Sequence, residues 1–345
     1  MMHSSTSKNR TIHYYVHGRG RGHGTRTLKV TEALVAAGFS VRIFAGEDPL
    51  SMIRAAYPAE AVASLMPARP LAWPVLLRRR VRAAVDVIGR DAPLAVVSDG
   101  DLPGLLAAHR CKVPSIAVGR AEVFGETRRP QGAPLLPWFR EMCSAKVSSL
   151  TATRHVAVSF VETAPRNRRT LTAAPSVAPI AKREFPDLDA VCYFRDENGD
   201  AVLDCLSSAG FKVALFSRDP SAVRPRTDVR VHPLQRGAFL DALGRTRAVV
   251  ASAGSQLISE CAAANIPIYA LHAAADDEQR INVALIRKAG IGDGTAFETF
   301  VSEMLRRFLH TRRAAAPSRR MPAPKQRVDE VVCGLVEALA AGSPI

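Results

Sequence analysis

The chain has 345 residues, which is enough for two domains of roughly 150 residues each. Its composition, 47% hydrophobic, is that of a globular protein, and no apolar run approaches the roughly 20 residues of a membrane span. The net charge of +15 comes mainly from arginines spread along the whole chain, without a zinc-finger or RNP-type pattern, so nucleic acid is not an expected partner.

The start of the chain is polar and lacks the apolar core of a secretory signal, and the cysteines are scattered without a Cys-x-x-Cys pair. These features predict a cytoplasmic protein with reduced thiols.

Strand-like and helix-like segments alternate in the first half, which predicts a parallel α/β domain over residues 1–163. The predicted strands are 12–17, 40–45, 94–98, 114–118 and 154–158. The predicted helices are 24–37, 75–89, 102–110 and 138–150.

A glycine-rich turn, HGRGRGHG from His17, joins the first predicted strand to the first predicted helix. Glycines let the backbone approach a ligand closely, and a helix amino terminus favours negative charge. The spacing does not fit the Gly-x-Gly-x-x-Gly of a dinucleotide site, although Glu47 and Asp48 lie where a ribose-binding acid would follow the next strand. The turn is therefore predicted to face a ligand, with these glycines on its surface: Gly20, Gly22 and Gly24.

Three side chains of the first half are candidates for acid–base chemistry. His23 lies at the mouth of the turn, and an imidazole that titrates near neutrality suits a general base, although it could equally order the loop. Asp99 and Asp101 follow the strand at 94–98, and the carboxyl ends of strands are where α/β sheets place ligands. They are either a base or base-orienting carboxylate, or caps for the helix at 102–110.

The alternation stops over residues 164–186, where prolines and arginines predict a linker. It resumes with strands at 190–194, 211–216, 247–251 and 266–270 and a helix at 199–209, which predict a second doubly wound domain over 187–311. Residues 312–345 are predicted to form a second linker, 312–325, and an amphipathic helix, 328–341, that packs back onto the body.

The second half contains a buried strand, a turn of small residues and a helix, from Ala248 to Glu260. Backbone amides at such a turn, with the helix dipole behind them, can hold a phosphate. Glu260 lies one helical turn further on, where a carboxylate could accept hydrogen bonds from a pair of ribose hydroxyls. Polar residues at 276–282 then crowd the start of another helix, either as caps or as ligands of sugar hydroxyls.

Two segments resemble one known family. SAGSQLISECAAANIPIYALHAAADDEQRINVALIRKAGIG resembles the donor-binding signature of GT-B glycosyltransferases of the MurG and monogalactosyldiacylglycerol synthase type. HGRGRGHGTRTLKVTEALVAAGFSVRIFAG resembles the amino-terminal glycine-rich loop of the same family. The resemblance implies a GT-B architecture, in which two Rossmann-like, doubly wound parallel-sheet domains face a central cleft.

The resemblance also implies an activity. A sugar would pass from a nucleotide diphosphate donor, a UDP-sugar, on the carboxy-terminal domain to a hydroxyl acceptor on the amino-terminal domain. The transfer would be inverting and need neither metal nor cofactor. A nucleotide-sugar 2-epimerase, or an inactive nucleotide-sugar-binding protein of the same fold, is the alternative. A nicotinamide oxidoreductase explains the first turn poorly and the second-half signature not at all.

The family's roles can be carried onto particular residues. His23 matches the histidine of the glycine-rich loop, His232 falls in the segment that corresponds to the base-contacting loop, and Arg195 would supply a cation to the diphosphate. The usual Gly-Gly-Ser turn after Arg195 is replaced, which weakens that contact. The remaining donor ligands would be Gly254, Ser255 and Gln256 for the diphosphate, Glu260 for the ribose, and Glu278 with Gln279 for the sugar.

Apolar side chains stand next to arginines in the first half. Such a patch suits an anionic membrane surface, as in related enzymes with lipid acceptors. The expectation is either peripheral membrane association with a lipid or polyprenyl acceptor, or a plain helix with a solvated arginine face. The patch consists of Trp73, Leu76, Leu77, Arg78, Arg79 and Arg80, and a second candidate is Arg128 and Arg129 followed by 135–140.

Overall fold

The computed structural model of the chain describes residues 10–18, 20–65, 72–195, 199–314, 323–343 and 345. The chain divides into two compact units. The first comprises the chain through Arg129, Phe139–Ser176 and the chain from Ala323, and the second comprises Pro130–Trp138 and Val177–Pro322.

Strands and helices alternate through most of the described chain. The strands are β1 (Thr11–Val16), β2 (Ser40–Ala45), β3 (Ala59–Ala61), β4 (Ala95–Asp99), β5 (Ser115–Gly119), β6 (Arg154–Val158), β7 (Thr170–Ala173), β8 (Leu188–Tyr193), β9 (Val213–Ser217), β10 (Val229–Pro233), β11 (Thr246–Ser252), β12 (Ile268–His272) and β13 (Gly292–Ala296). The helices are α1 (Arg21–Ala36), α2 (Glu47–Arg54), α3 (Trp73–Asp91), α4 (Leu102–Arg110), α5 (Ala121–Glu126), α6 (Leu135–Ser149), α7 (Asp200–Ser208), α8 (Arg236–Arg245), α9 (Ser255–Ala263), α10 (Asp277–Lys288), α11 (Ser302–Ala314) and α12 (Val328–Ala340).

In its described part, the first unit contains a seven-stranded parallel sheet in the order β3-β2-β1-β4-β5-β6-β7. Strands β4 and β5 are buried at every position, as expected for a parallel sheet covered on both faces. Helix α12 packs on α1, where Val332 and Val336 join the core formed with Val30 and Leu34. The carboxy-terminal helix is therefore part of the first unit.

The described part of the second unit contains a six-stranded parallel sheet in the order β10-β9-β8-β11-β12-β13. Its core includes Leu215, Val250 and Tyr269 from the sheet, with Leu206 of α7 and Leu305 of α11 packed over them. Both units are thus parallel α/β layers, and the α/β prediction is confirmed.

Each sheet has one point where the strand order reverses. In the first unit β1 lies between β2 and β4, and in the second β8 lies between β9 and β11. In open α/β sheets the crevice at the carboxyl ends of the two strands flanking such a switch point is where ligands bind. The loops after β1 and β4, and those after β8 and β11, are therefore the positions where a site is expected.

The structure departs from the sequence predictions at several boundaries. The predicted linker 164–186 contains β7, which pairs with β6, so the first sheet extends past the predicted boundary at residue 163. This strand has only four residues between flanking prolines, too short for an alternating pattern to stand out. Helix α11 reaches into the second predicted linker, and residues 315–322 of that linker lie outside the described residues.

No helix in the described part of the chain combines the length and the apolar character needed to cross a bilayer.

Candidate active site

The glycine-rich turn after β1 is tighter than the sequence suggests. Helix α1 begins at Arg21, so Gly22 and Gly24 lie in its first turn and not in the preceding loop. Gly20 caps the helix with a φ of 97°, a conformation that favours glycine, and its amide donates to Asp48 Oδ2 at 2.9 Å.

The other glycines and acids of this region serve packing. A Cβ on Gly24 would lie 3.0 Å from Met52 Sδ of α2, so this glycine lets the two helices approach. Glu47 accepts a hydrogen bond from Ser64 Oγ at 2.5 Å. The two acids that might have bound a ribose, Glu47 and Asp48, instead hold neighbouring loops, which removes support for a nicotinamide site.

The structure brings His23 and Asp99 together at the switch point of the first unit. Asp99 ends β4 and is fully buried, and its Oδ1 lies 2.6 Å from His23 Nδ1. An ionised carboxylate only accepts hydrogen bonds, so Nδ1 is the donor in this contact and Nε2 is the ring nitrogen that Asp99 does not hold. Asp99 is thus placed to orient the imidazole, and His23 is the group of the pair that can take a proton.

The carboxylate of Asp99 is ionised in this setting. Burial opposes its ionisation, but the charges of Arg26 and His23, with hydrogen bonds from both, lower the pKa of Asp99 to about 2. The Arg26 guanidinium donates to both carboxylate oxygens at 2.7 Å. Sequence reasoning did not select Arg26, although it lies one helical turn after His23, where both side chains share a face.

The neighbouring carboxylate, Asp101, has a structural role. It caps α4 by accepting from the Gly104 amide at 2.8 Å, and Arg80 Nη2 donates to it at 2.8 Å. Arg80 is only 8% exposed, so it is not part of a membrane-facing surface as predicted. Of the other predicted patch residues, Arg78 and Arg79 are exposed, and these are partly buried: Trp73, Leu76 and Leu77.

In the second unit, the turn after β11 leads into α9. No side chain caps this helix, so its first turn presents backbone amides and the positive end of the dipole. Ser255 and Gln256 occupy that turn, as predicted for a phosphate contact. The Gly254 amide, in contrast, donates to Ser252 O at 2.7 Å and is used within the turn itself.

Two amide side chains of α10 clamp this turn at Ala253. Gln279 Oε1 accepts from the Ala253 amide at 3.2 Å, and Asn282 Nδ2 donates to the Ala253 carbonyl at 2.9 Å. Gln279 Nε2 also donates to Asp276, the residue that caps α10, at 2.7 Å. Both ends of the Gln279 amide are therefore engaged within the protein, and its contact with a sugar stays a prediction.

Asn282 and Asp276 were not singled out from the sequence. The available signal was an amide in an otherwise apolar helical run, three residues after Gln279, where it shares that residue's face. Glu278 lies in the first turn of α10 and is partly buried.

Arg195 lies beside the same turn. It follows β8, and its amide donates to Ser252 Oγ at 2.9 Å, while its Nη1 is 3.7 Å from Asp276 Oδ2. The Arg195 backbone therefore lies beside the end of β11, and its guanidinium lies near the start of α10. Of the loop that replaces the usual glycine turn, residues 196–198 lie outside the described residues.

Glu260, the predicted ribose ligand, is 1% exposed and already paired. Arg236, the first residue of α8, places Nη2 2.5 Å from Oε1 and Nη1 3.2 Å from Oε2, and Gln256 Nε2 donates to Oε1 at 3.1 Å. A ribose would have to displace part of this pairing. Arg236 is a further residue that sequence reasoning missed.

His232, the predicted base contact, lies on the edge strand β10, where its ring stacks on Phe216 with centroids 5.2 Å apart. Strands β9 and β8 separate it from β11, so it is not part of the cluster around Ala253. Among the residues that the structure describes, no three acid, histidine or cysteine side chains are grouped as metal ligands.

Two parallel α/β units, each with polar groups at its switch point, are the arrangement of GT-B glycosyltransferases. The chain belongs to glycosyl transferase family 1, whose model matches residues 72–312, and it is therefore a glycosyltransferase. No curated protein sequence matches the chain.

Solved structures share the fold over nearly the whole chain. MurG of Acinetobacter baumannii has a TM-score of 0.64 at 16% identity and covers 95% of this chain and 99% of that one. CalG4, the calicheamicin glycosyltransferase, has a TM-score of 0.59 at 17% identity, covering 98% and 96%. UDP-GlcNAc 2-epimerase from Methanocaldococcus jannaschii has a TM-score of 0.62 at 10% identity, covering 95% and 99%. The GT-B prediction is thus confirmed.

Proposed function

We propose that the chain transfers a sugar from a nucleotide diphosphate donor to an acceptor hydroxyl, with His23 as the general base. The observation that carries this proposal is the 2.6 Å contact between His23 Nδ1 and the buried Asp99 carboxylate. A histidine oriented by a carboxylate is a recurrent arrangement for removing a proton from a hydroxyl nucleophile.

The chemical step follows from this pair. The acceptor hydroxyl gives its proton to Nε2 of His23 while its oxygen bonds to the anomeric carbon of the donor sugar. The bond from that carbon to the diphosphate breaks, and the departing diphosphate keeps the electron pair. Asp99 stabilises the imidazolium that forms. Because this is one displacement from the face opposite the leaving group, we propose that the transfer inverts the anomeric configuration.

The second unit would hold the donor. The start of α9, whose N-cap residue Gly254 has no side chain, carries the positive end of a helix dipole, which favours phosphate. The Arg195 side chain, 3.7 Å from Asp276 before α10, adds a cation near the same turn. These groups can stabilise the charge that develops on a departing diphosphate, which supports a transfer that needs no metal ion. UDP-GlcNAc 2-epimerase from Methanocaldococcus jannaschii shares the fold, and a UDP-sugar is the proposed donor.

A lipid-linked acceptor is the proposed acceptor class. Helix α6 exposes Leu135, Leu136 and Phe139, with Arg140 next to them, a combination of apolar and basic groups that suits an anionic bilayer surface. Trp138, in the same predicted patch, is buried and does not contribute. Co-sedimentation with vesicles containing phosphatidylglycerol at low salt tests this: the protein should pellet with them, and a Leu135→Ser, Leu136→Ser variant should stay in the supernatant. A protein that fails to pellet contradicts the proposal.

The activity is tested in two stages. A thermal-unfolding screen of nucleotide diphosphates and their sugars should show that UDP-sugars stabilise the protein, by about 2.7 kcal/mol at a hundred times the dissociation constant. The stabilising UDP-sugar is then incubated with an acceptor panel that includes polyprenyl phosphates and lipid diols, and release of UDP is followed. Stabilisation by no nucleotide contradicts the donor assignment. Stabilisation without turnover on any acceptor favours a binding protein.

The likeness to an epimerase provides the one specific alternative. An epimerase would convert the donor sugar without any acceptor, which proton NMR of UDP-GlcNAc detects directly. We expect the sugar to remain unchanged until a hydroxyl acceptor is added.

A further inference from the structure

Arg26 is a buried cation that binds Asp99, the same carboxylate that orients His23. Arg26 donates from Nε to Asp99 Oδ2 and from Nη2 to Asp99 Oδ1, both at 2.7 Å. Nη2 also lies 3.3 Å from His23 Nδ1, because both nitrogens point to the same oxygen. Arg26 is 8% exposed and Asp99 is fully buried, so water screens this cluster little.

Without Arg26 beside it, the negative charge of Asp99 would be unfavourable for His23 as a base. An unneutralised carboxylate 2.6 Å from an imidazole favours its protonated form, by on the order of 1–3 pH units for a close pair. A histidine that is already protonated cannot accept a proton from a hydroxyl. A two-pronged guanidinium contact cancels that charge and fixes the plane of the carboxylate at the same time.

We propose that Arg26 is a positioning residue for His23. It anchors Asp99 and neutralises it, so that the imidazole is unprotonated at neutral pH, with its Nδ1–H directed to Asp99 and its Nε2 ready to accept. The catalytic part of this role rests on the proposed function, but its effect on the His23 ring does not.

The other titratable neighbours determine how the experiment is controlled. His17, after β1, has its ring centroid 5.6 Å from that of His23, and its own titration must be assigned separately. Asp48 reaches the turn before His23 through the Gly20 amide. Tyr14 of β1 interacts with Asp99, but burial raises the pKa of its phenol, which stays neutral.

The test is the pH titration of the His23 ring by NMR of protein labelled with 15N-histidine, with a His17→Gln variant to assign the neighbouring signal. In Arg26→Met the midpoint should rise by about 1 pH unit or more relative to the wild type. Arg26→Lys keeps the charge and should show less than half of that rise. Arg80→Met, which removes an equally buried arginine from Asp101, is the matched control and should leave the midpoint unchanged.

Activity gives a second readout. The acidic limb of the pH–rate profile should move to higher pH in Arg26→Met by the same amount as the ring titration, and Arg26→Lys should restore most of the original profile. The wild-type protein supplies a test without any variant: at pH 7 its His23 15N shifts should report a neutral ring protonated at Nδ1.

These results separate the two proposals. A His23 ring that is protonated at pH 7 in the wild type, or a midpoint that does not move in a folded Arg26→Met protein, overturns the role of Arg26 even if the chain transfers sugars. A shifted midpoint in a protein that transfers no sugar supports Arg26 as the group that tunes His23 and contradicts the proposed function instead.

Discussion

The two switch points of this chain have the same topology and different chemistry. In the first unit, the polar groups are ionisable side chains: His23, Asp99 and Arg26 form one cluster with a fully buried carboxylate at its centre. In the second, the structure depends on backbone and neutral amides, since Gln279 and Asn282 hold Ala253 just before an uncapped helix.

The difference indicates what each task requires. Moving a proton needs a side chain with a suitable charge state, and that state depends on the ions next to it. Binding an anion needs amides that point to one place, and a rigid turn supplies them from the backbone. One α/β topology can thus support either task, and the side chains at its loops decide which.

The largest expected effect comes from removing the base. His23→Ala should lower the rate of transfer by about 10² to 10⁴-fold, the usual contribution of general base catalysis. UDP affinity, measured by calorimetry, should stay within twofold, because the proposed donor site lies in the second unit. His17→Ala removes the adjacent histidine and should retain activity within tenfold. Transfer at the wild-type rate in His23→Ala would rule out its role as base.

Asp99→Asn tests how much the stability of the protein depends on the charge of the buried Asp99 carboxylate. The substitution keeps the shape but leaves Arg26 buried without its counter-ion, which should lower the free energy of unfolding by about 3–5 kcal/mol. Urea denaturation measures it. Asp187→Asn removes an acid that is paired with Arg245 on the surface and should cost less than about 1 kcal/mol. Equal losses of stability in the two variants would show that burial of the Asp99–Arg26 pair does not determine the size of the effect.

The lowered pKa of Asp99 predicts how the stability of the protein depends on pH. Folding lowers the pKa of Asp99 to about 2 from its ordinary value of 3.8, so between these values the unfolded chain binds more protons than the native state. The contribution of Asp99 is fully present above about pH 4 and is lost as the pH falls towards 2, a change of about 2 kcal/mol. Urea unfolding at pH 4, 3 and 2 should show this loss in the wild type and a smaller one in Asp99→Asn. Parallel curves for the two proteins would contradict it.

A smaller effect is expected in the second unit. Asn282→Leu leaves the buried Ala253 carbonyl without this donor, which should cost about 1–3 kcal/mol of stability and weaken UDP binding about tenfold by loosening the turn. Calorimetry with UDP measures the second effect. The titration of the His23 ring should be unchanged, since Asn282 belongs to the other unit. If the affinity for UDP is undiminished, the hydrogen bond between Asn282 and Ala253 is not needed for donor binding.

Much of the fold follows from the sequence, because buried strands and amphipathic helices alternate in it. The strand β7 was missed, since four residues between prolines carry too little periodicity. His23 was predictable from its place in the glycine-rich turn, and Asp99 was predictable as a residue at the carboxyl end of a strand. Their pairing was not, because 76 positions separate them and only the order of strands brings β1 beside β4.

The amide and arginine partners were harder to foresee. Gln279 at a helix start can turn its side chain to a ligand or to the protein, and the sequence does not distinguish these orientations. Arg26 and Arg236 belong to an arginine-rich chain, in which a buried arginine looks like a surface one until its acid partner is located. Glu260 was chosen for its spacing, and only the structure shows that Arg236 already binds it.

The proposed assignment of the donor to the second unit and of the base to the first can be tested directly with UDP alone. Backbone amide NMR spectra of the deuterated protein, recorded with increasing UDP, should shift at Ser252–Gln256 and around Arg195 and remain unchanged at residues 17–24. Shifts centred on residues 17–24, with the start of α9 unaffected, would contradict the assignment of the donor to the second unit and of the base to the first.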